Sequence, residues 1–382
     1  MNESPHTYYW TWRIESTRFS EWTSSDILAI MEYDFTNELE KIEAALQEAL
    51  PDTPGSGWYQ QHFGLFSPAI TPQHIAPLLS PCTRLIGLGG KRWRPLLLVL
   101  CAQLAAGTDV PPEIAFRLTP LVEFIHTASL IHDDIEDSAD TRRGEPAAHI
   151  TYGLDTALNA GAWLYFTAPV CIQNTHLGKD TQLLLNSLYH QELRRLHLGQ
   201  AMDIAWHRSN ETIPTEDEYT AMVRLKTGTL ASLAAQVGVI AGGGTEAQAQ
   251  QMGQVAADIG IGFQVLDDVV NLTTGNVGKK RGDDIVEGKK SLPILLHLKR
   301  NPQALEKLTA CFAQARLQGV DSPAVEQAIA MVRDSGAIAE ATQQAQQLIQ
   351  AACTHIEELY PGTVAARKIA ALFQNMLKSA CN

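Results

Sequence analysis

The sequence predicts an all-α fold, a single-domain helical bundle, and three observations predict it. From about Asp26 onward the apolar residues recur at spacings of three and four, the period of a helix with one buried face. Ala, Leu, Gln and Glu, all good helix formers, abound. Alternating β-branched runs, the mark of half-buried strands, are scarce. At roughly 150 residues per domain the 382 residues would make two or three domains, but an all-helical chain of this length can close around one core. One domain is therefore expected over 26–382. Residues 1–25, rich in Trp, Tyr and Ser without clean periodicity, form an N-terminal extension to which no role is assigned.

The elements follow from periodicity and its breakers. The first helix is expected over 27–49. Residues 51–94 hold Pro51, Pro54, Gly55, Gly57, Pro68, Pro72, Pro77 and Pro81, and read as a long irregular connection with one short helix inside it. Helix 95–106 opens on Pro95, a residue suited to the first helical position. Helix 111–137 starts at Pro111-Pro112. Helices 153–176, 180–206 and 215–241 follow, the last stopped by Gly242-Gly243-Gly244. Helices 245–273, 291–299, 302–317, 322–333 and 336–359 lead to Pro361-Gly362, after which 362–380 closes the chain. No fixed-period repeat is present, which disfavours a solenoid.

Composition narrows the function. Lys+Arg 29 against Asp+Glu 42 leave a net charge of −13, so a general binder of nucleic acid or anionic membrane, which needs a basic face, is disfavoured. Any anionic ligand must be held locally. The apolar runs, such as Pro95 to Leu100, are shorter than a bilayer span, so no transmembrane segment is expected. The start MNESPHTYYWTWRIESTRF lacks the apolar core of a secretory signal, and a cytoplasmic location is expected. Six cysteines, Cys82, Cys101, Cys171, Cys311, Cys353 and Cys381, lie far apart with no CxxC, and read as reduced thiols, not a zinc site or disulfide scaffold.

The chemistry is concentrated in a few motifs. Asp133-Asp134-Ile135-Glu136-Asp137 closes a strongly apolar helix, with Asp133 and Asp137 one turn apart on one face. Like charges repel there, and the helix C-terminus is itself negative, so a cation such as Mg²⁺ would relieve the site. Alone, such a cluster reads as a solvated acidic helix end. A second pair, Asp267-Asp268 with Asn271, closes another apolar helix, and Gln264 lies one turn before it. Two bundle helices ending this way can face each other and hold hard divalent ions that share their remaining positions with phosphate oxygens. Gly89-Gly90-Lys91-Arg92-Trp93-Arg94-Pro95 leads into a helix N-terminus where Lys91 and Arg94 can converge on an anion. Arg142-Arg143-Gly144, Lys226-Thr227-Gly228 and Gly288-Lys289-Lys290-Ser291 add further cations. Any one of these is ordinarily a solvated side chain; together they suggest two anions, one held through metal and one held directly. His126 shares the stripe of Val122, Ser129, Asp133 and Asp137, which favours a donor role toward the second anion.

In the order GGKRxRP, IHTASLIHDDxxD, RRG, GQxxD (Gln200, Asp203), KTG, FQxxDD and GKxxGDDIxEGKxS, these motifs resemble the trans-isoprenyl diphosphate synthases, also called polyprenyl synthetases, from about Leu88 to Pro293. The resemblance implies an all-α homodimer with a deep central cavity and three Mg²⁺ ions per site. It implies Asp133, Asp137 and Asp267 as metal ligands for an allylic diphosphate, supported by Asp134 and Asp268. It implies Arg142, Lys226 and Lys289 on that same diphosphate, and Lys91, Arg94, His126 and Arg143 on isopentenyl diphosphate. Thr227 and Gln264 lie where the family stabilises the developing allylic cation. Asn271 in place of a final Asp, Ala162 after Gly161, and Ser291 in place of Thr are departures that bear on subfamily more than on activity.

Product length is read from the helix behind Asp133. A rise of about 1.5 Å per residue puts Ser129 about 6 Å deeper and Ala128 slightly further. Both are small, whereas farnesyl-making enzymes commonly place an aromatic there, so a chain longer than C15 is expected. Tyr165 and Phe166 are expected as a deeper floor. The segments SLIHDDIEDSADTRRG, GQAMDIAWHR and IPTEDEYTAMVRLKTG are most similar to eukaryotic-type geranylgeranyl diphosphate synthases, which implies a C20 product. A farnesyl or longer-chain synthase is the first alternative. A terpene cyclase would not need Lys91, Arg94 and His126, and a non-catalytic partner subunit would not keep both Asp clusters.

Overall fold

The computed structural model describes residues 33–65, 67–209, 212–275 and 280–381. The proposed extension over 1–25 and the start of the first expected helix lie outside them. The architecture is all-α, with a single two-stranded ribbon among the described residues.

The chain begins with α1 (Thr36–Ala49), which buries Ile42 and Leu46. The proline-rich stretch then departs from expectation, forming α2 (Ser56–Phe63) and the sixteen-residue α3 (Pro72–Gly87). Pro72 occupies a position where no donor is needed. Pro77 and Pro81 stand inside α3, where burial of Ile75, Leu79, Cys82, Leu85 and Ile86 outweighs the lost backbone bonds. Next come α4 (Trp93–Ala106), α5 (Glu113–Arg117) and α6 (Pro120–Glu136). The expected helix 111–137 is thus split, because Pro120 cannot donate into a continuing helix and starts a new one. By length and apolar composition alone Glu113–Glu136 could cross a membrane, yet 72% of its apolar stretch is buried inside the molecule. It is a core element.

Strands β1 (Thr141–Arg142) and β2 (Glu145–Pro146) pair antiparallel across Arg143 and Gly144, both at positive φ, as in a two-residue primed turn. After α7 (Ala148–Tyr152), the expected helix 153–176 is divided at Pro169 into α8 (Leu154–Thr167) and α9 (Val170–Gln173). The long α10 (Lys179–Arg208) leads to α11 (Glu216–Val223), opened by a capping box between Thr215 and Glu218. One π-helical turn, Arg224–Gly228, interrupts the expected helix 215–241 before α12 (Thr229–Ala241). Then come α13 (Glu246–Thr273), α14 (Asp283–Glu287), α15 (Leu292–Arg300), α16 (Leu305–Gln318), α17 (Pro323–Asp334), α18 (Ala337–Leu359) and α19 (Val364–Cys381).

Helix α12 is buried along almost its whole length, packed between α4 and α13. Its glycines make this possible. A side chain on Gly238 would strike the Leu98 carbonyl, and one on Gly242 the Ala102 carbonyl. Without a Cβ at these positions the backbones approach to contact, and Leu97, Leu100, Leu233 and Val237 close the core around them.

Candidate active site

The ends of α4, α6, α10, α11 and α13, the π turn and the loop around α14 enclose one cavity of about 1110 Å³. Its walls include Lys91, Arg94, His126, Ser129, Asp133, Asp137, Arg142, Tyr165, Lys226, Thr227, Gln264, Asp267 and Lys289, so residues far apart in sequence face the same space.

The first acidic motif occupies the last turn of α6. Lys226 Nζ lies 3.2 Å from Asp133 Oδ1, Arg142 Nη2 lies 3.7 Å from Asp133 Oδ2, and Gln200 Nε2 donates to Asp133 Oδ1 at 3.0 Å. Burial pushes the Asp133 carboxyl upward, but Lys226, Lys289 and Arg142 together overcome it and hold it well below the usual carboxylate range. Asp137 pairs with Lys289 at 3.1 Å, and burial keeps its carboxyl above the usual range despite that lysine. Asp134 is turned away from the cavity and is 1% exposed; it accepts from Arg142 Nε at 2.8 Å and also from Nη2. Its function is to anchor Arg142, whose approach is already fixed by the turn at Arg143-Gly144.

Lys226 and Thr227 sit in the π turn, a feature that recurs at functional sites because it re-aims side chains within a helix. Two glycines fix the turn from opposite sides. Gly199 on α10 lies against the Lys226 backbone, and Gly260 on α13 lies against Gly228, where an added Cβ would fall 2.9 Å from the Gly228 Cα. Lys226 Nζ also bonds Asp203 Oδ2 at 2.6 Å. Burial lowers its affinity for a proton, yet Asp133 and Asp203 more than restore it, so the ammonium is held charged. Thr227 Oγ1 donates to Gln264 Oε1 at 2.8 Å.

The second motif divides its pair. Asp267 is exposed into the cavity, whereas Asp268 is buried and accepts from Tyr219 Oη at 2.6 Å and Gln264 Nε2 at 3.0 Å. Burial, then Asp284, pushes the Asp268 carboxyl up to about 7.

The basic group separates into ligand-facing and structural members. Lys91 and Arg94 line the cavity, and Arg94 Nη1 lies 3.4 Å from His126 Nε2. Burial brings Arg94 down to about 10, still cationic at neutral pH, and burial followed by Arg94 keeps His126 neutral. Arg92 points the other way, bonded to Glu123 at 2.6 Å, Glu43 at 2.7 Å and the Ile86 carbonyl at 2.6 Å. Arg143, expected to contact substrate, does not line the cavity. Its guanidinium donates to the Leu85 carbonyl at 3.0 Å and to Gly89, in space left by the missing side chain of Gly90, so it braces the loop that carries Lys91.

The expected chain-length residues also separate. Ser129 lines the cavity, but Ala128 is wholly buried behind it. Tyr165 faces the cavity between His132 and His197, with ring centroids at 5.5 and 5.2 Å. Phe166 is 79% exposed on the outside of α8. Successive helical residues are about 100° apart, so both could not form one floor.

Tyr219, Asp203, Glu136 and Glu287, to which the motifs assign no role, also take part in the site. Asp203 sits within a quoted motif, and Glu136 accepts from Gln200 at 2.6 Å and Glu287 from Lys289 at 2.6 Å. Tyr219 carries no motif of its own. Among the described residues no three metal-ligating side chains converge as a preformed cage. Asp133, Asp137 and Asp267, with Glu136 and Asp268 beside them, bring carboxylates from both acidic motifs to the cavity, which suits a hard divalent cation that completes its shell with ligand oxygens.

Residues 76–332 match the family model described as polyprenyl synthetase. The chain is 36% identical over 227 residues to geranylgeranyl pyrophosphate synthase 2 of Zymoseptoria tritici, covering 59% of this chain and 65% of that one. It is 37% identical over 246 residues to the chloroplastic geranylgeranyl pyrophosphate synthase 3 of Arabidopsis thaliana, covering 61% and 66%. It thus spans just under two thirds of the length of these curated relatives. Its fold is that of geranylgeranyl pyrophosphate synthetase from Pyrococcus horikoshii, with TM-score 0.76, 24% identity and coverage of 93% and 99%. It is also that of a Caulobacter crescentus polyprenyl synthase solved with calcium and isoprenyl diphosphate, with TM-score 0.73, 24% identity and coverage of 93% and 97%. The motif order, the shared cavity and the match over most of the chain lead to one conclusion: this protein belongs to the polyprenyl synthetase family.

Proposed function

We propose that the chain is a Mg²⁺-dependent prenyltransferase that condenses isopentenyl diphosphate head-to-tail with an allylic diphosphate, with geranylgeranyl diphosphate (C20) as the product. One observation carries this reading: a single cavity presents both acidic motifs together with a separate cationic group, Lys91 and Arg94 beside His126. Two anions of different binding chemistry can then lie side by side. The names of the relatives support the same substrate class.

Asp133, Asp137 and Asp267 would hold Mg²⁺, which when bound neutralises charge developing on the leaving diphosphate. Lys226, Lys289 and Arg142 add fixed positive charge around the same leaving group, preorganised by Asp203, Glu287 and Asp134. Lys91 and Arg94 hold isopentenyl diphosphate, with His126 neutral beside Arg94, while Arg143 supports their loop. As the allylic C–O bond breaks, the Thr227 and Gln264 oxygens stabilise the cation. The isopentenyl alkene, fixed at attack distance, captures the cation before water does. A C–C bond forms, and the proton lost from isopentenyl diphosphate passes to the departing diphosphate.

Ser129, Leu130, Leu196 and Leu230 supply an apolar wall for the growing tail, and Tyr165 between two histidines is its stop. Exposed Leu154, Leu158 and Phe166 on α8, and Leu183 and Leu198 on α10, are large apolar side chains left in solvent, which favours a homodimer that covers them. The buried, unpaired Cys82, Cys101, Cys171, Cys311 and Cys353 favour a reducing, cytoplasmic setting. The test is incubation with Mg²⁺, isopentenyl diphosphate and C5, C10 or C15 allylic diphosphate, followed by measurement of product lengths. A C20 end point is expected, with longer products from Tyr165→Ala. Absence of condensation would refute the reaction, and wild-type products longer than C20 would refute the stop.

A further inference from the structure

We infer that Tyr219 is a positioning residue for Gln264, acting through Asp268. The inference rests on the prenyl-transfer reading for its consequence, and on three hydrogen bonds for its geometry. Tyr219 on α11 is 2% exposed and lies in the cavity wall, and its phenol donates to Asp268 Oδ2 at 2.6 Å. The other carboxylate oxygen, Oδ1, accepts from Gln264 Nε2 at 3.0 Å, and Gln264 Oε1 accepts from Thr227 Oγ1 at 2.8 Å. The chain of contacts therefore runs from α11 through α13 to the π turn.

The direction of this chain follows from donor and acceptor capacity. Both Asp268 oxygens accept, one from the Tyr219 phenol and one from the amide nitrogen of Gln264, so that nitrogen faces Asp268 and the amide oxygen is left on the Thr227 side. Thr227 cannot make that choice, because a hydroxyl both donates and accepts. Asp268 in turn keeps its place in a buried site only if its second oxygen has a donor, and the Tyr219 phenol is that donor. With the amide so oriented, Gln264 and Thr227 present oxygen atoms at the wall where positive charge develops on the allylic carbons. A reversed amide would present N–H groups there and oppose that charge. The two acidic motifs thus use their second aspartates alike: Asp134 orients Arg142, and Asp268 orients Gln264.

The experiment is a double-mutant cycle on the full chain with Mg²⁺ and both diphosphates. Tyr219→Phe is expected to lower kcat at least tenfold while KM for each diphosphate stays within about twofold. In a Gln264→Ala background the same change is expected to cost less than twofold, because the group it orients is gone. Equal losses in both backgrounds, or an unchanged kcat, would overturn the inference. A second readout does not depend on turnover. In ¹⁵N spectra, the Gln264 side-chain amide, assigned by its loss in Gln264→Ala, is expected to shift in Tyr219→Phe. An unmoved amide would overturn the positioning role even if the chain catalyses another reaction, whereas a shifted amide without condensation would retain it and count against the prenyl-transfer reading alone.

Discussion

Replacing Gly199 with alanine tests how the π turn is held. A Cβ there would fall 2.8 Å from both the Leu225 carbonyl carbon and the Lys226 Cα, and nearer still to the Lys226 nitrogen, where ordinary contact begins near 3.4 Å. Helix α10 and the turn must therefore part by roughly 1 Å. The turn cannot retreat freely, because Gly228 is backed by Gly260 and Ala257 on α13. Overpacking of this kind costs about 1–3 kcal/mol, and the blocked retreat argues for the upper end. At about 2 °C per kcal/mol for a domain of this size, Tm should fall by roughly 5 °C. The functional loss should be larger, since Lys226 and Thr227 ride on the displaced backbone and a 1 Å misplacement can cost about 100-fold in rate. Scanning calorimetry and steady-state turnover measure the two effects. Gly87→Ala, with nothing within 4 Å of its added methyl, is the control. Wild-type Tm and turnover in Gly199→Ala would refute the reasoning.

Two further perturbations probe the buried charges. Glu123→Ala removes the most buried partner of Arg92 and should cost about 3–5 kcal/mol in a denaturant titration. Pairing Arg92→Met with Glu123→Leu should recover part of that loss, and an unchanged midpoint in the single variant would contradict the assignment. Asp268→Asn tests the raised carboxyl in metal-free protein. A folded-state value of about 7 against 3.8 makes the ionised form unfavourable, so stability present at pH 4 is lost as pH rises through about 7, by at most roughly 4 kcal/mol. The Tm of Asp268→Asn relative to wild type should therefore be more favourable at pH 8 than at pH 4.5. A difference that is constant or reversed would count against it.

Much of this architecture is legible in the sequence for a physical reason: residues that bind charged groups leave a pattern when several fall at fixed spacings on helices. Asp133 and Asp137 are readable as a pair because one helical turn separates them, and Lys226 and Thr227 because they sit in a recognisable motif. What the pattern does not carry is direction. Arg92 and Arg94 are two residues apart in one motif, yet one is tied to Glu43 and Glu123 and the other faces the cavity. Tyr165 and Phe166 are adjacent, and only tertiary packing decides which turns inward. Helix α3 is not legible in the sequence because proline content weighs against a helix locally, while the apolar face that stabilises it needs partners contributed by the rest of the fold. The π turn depends on glycines from α10 and α13, neither of them its sequence neighbour. Tyr219 has meaning only once its phenol is seen to donate to the buried Asp268 carboxylate, 49 residues away in sequence.

If Asp133 and Asp267 grip one diphosphate from two parts of the chain, its binding must depend on both. The most direct measurement is Mg²⁺-dependent binding of a non-ionisable allylic thiolodiphosphate by calorimetry to wild type, Asp133→Ala, Asp267→Ala and the double variant. If both aspartates serve one ligand, each single change should weaken binding by about 100-fold, and the double should lose little more than either alone, as coupled residues do. Fully additive losses, or full affinity in one of the single variants, would mean that the two motifs act at separate sites.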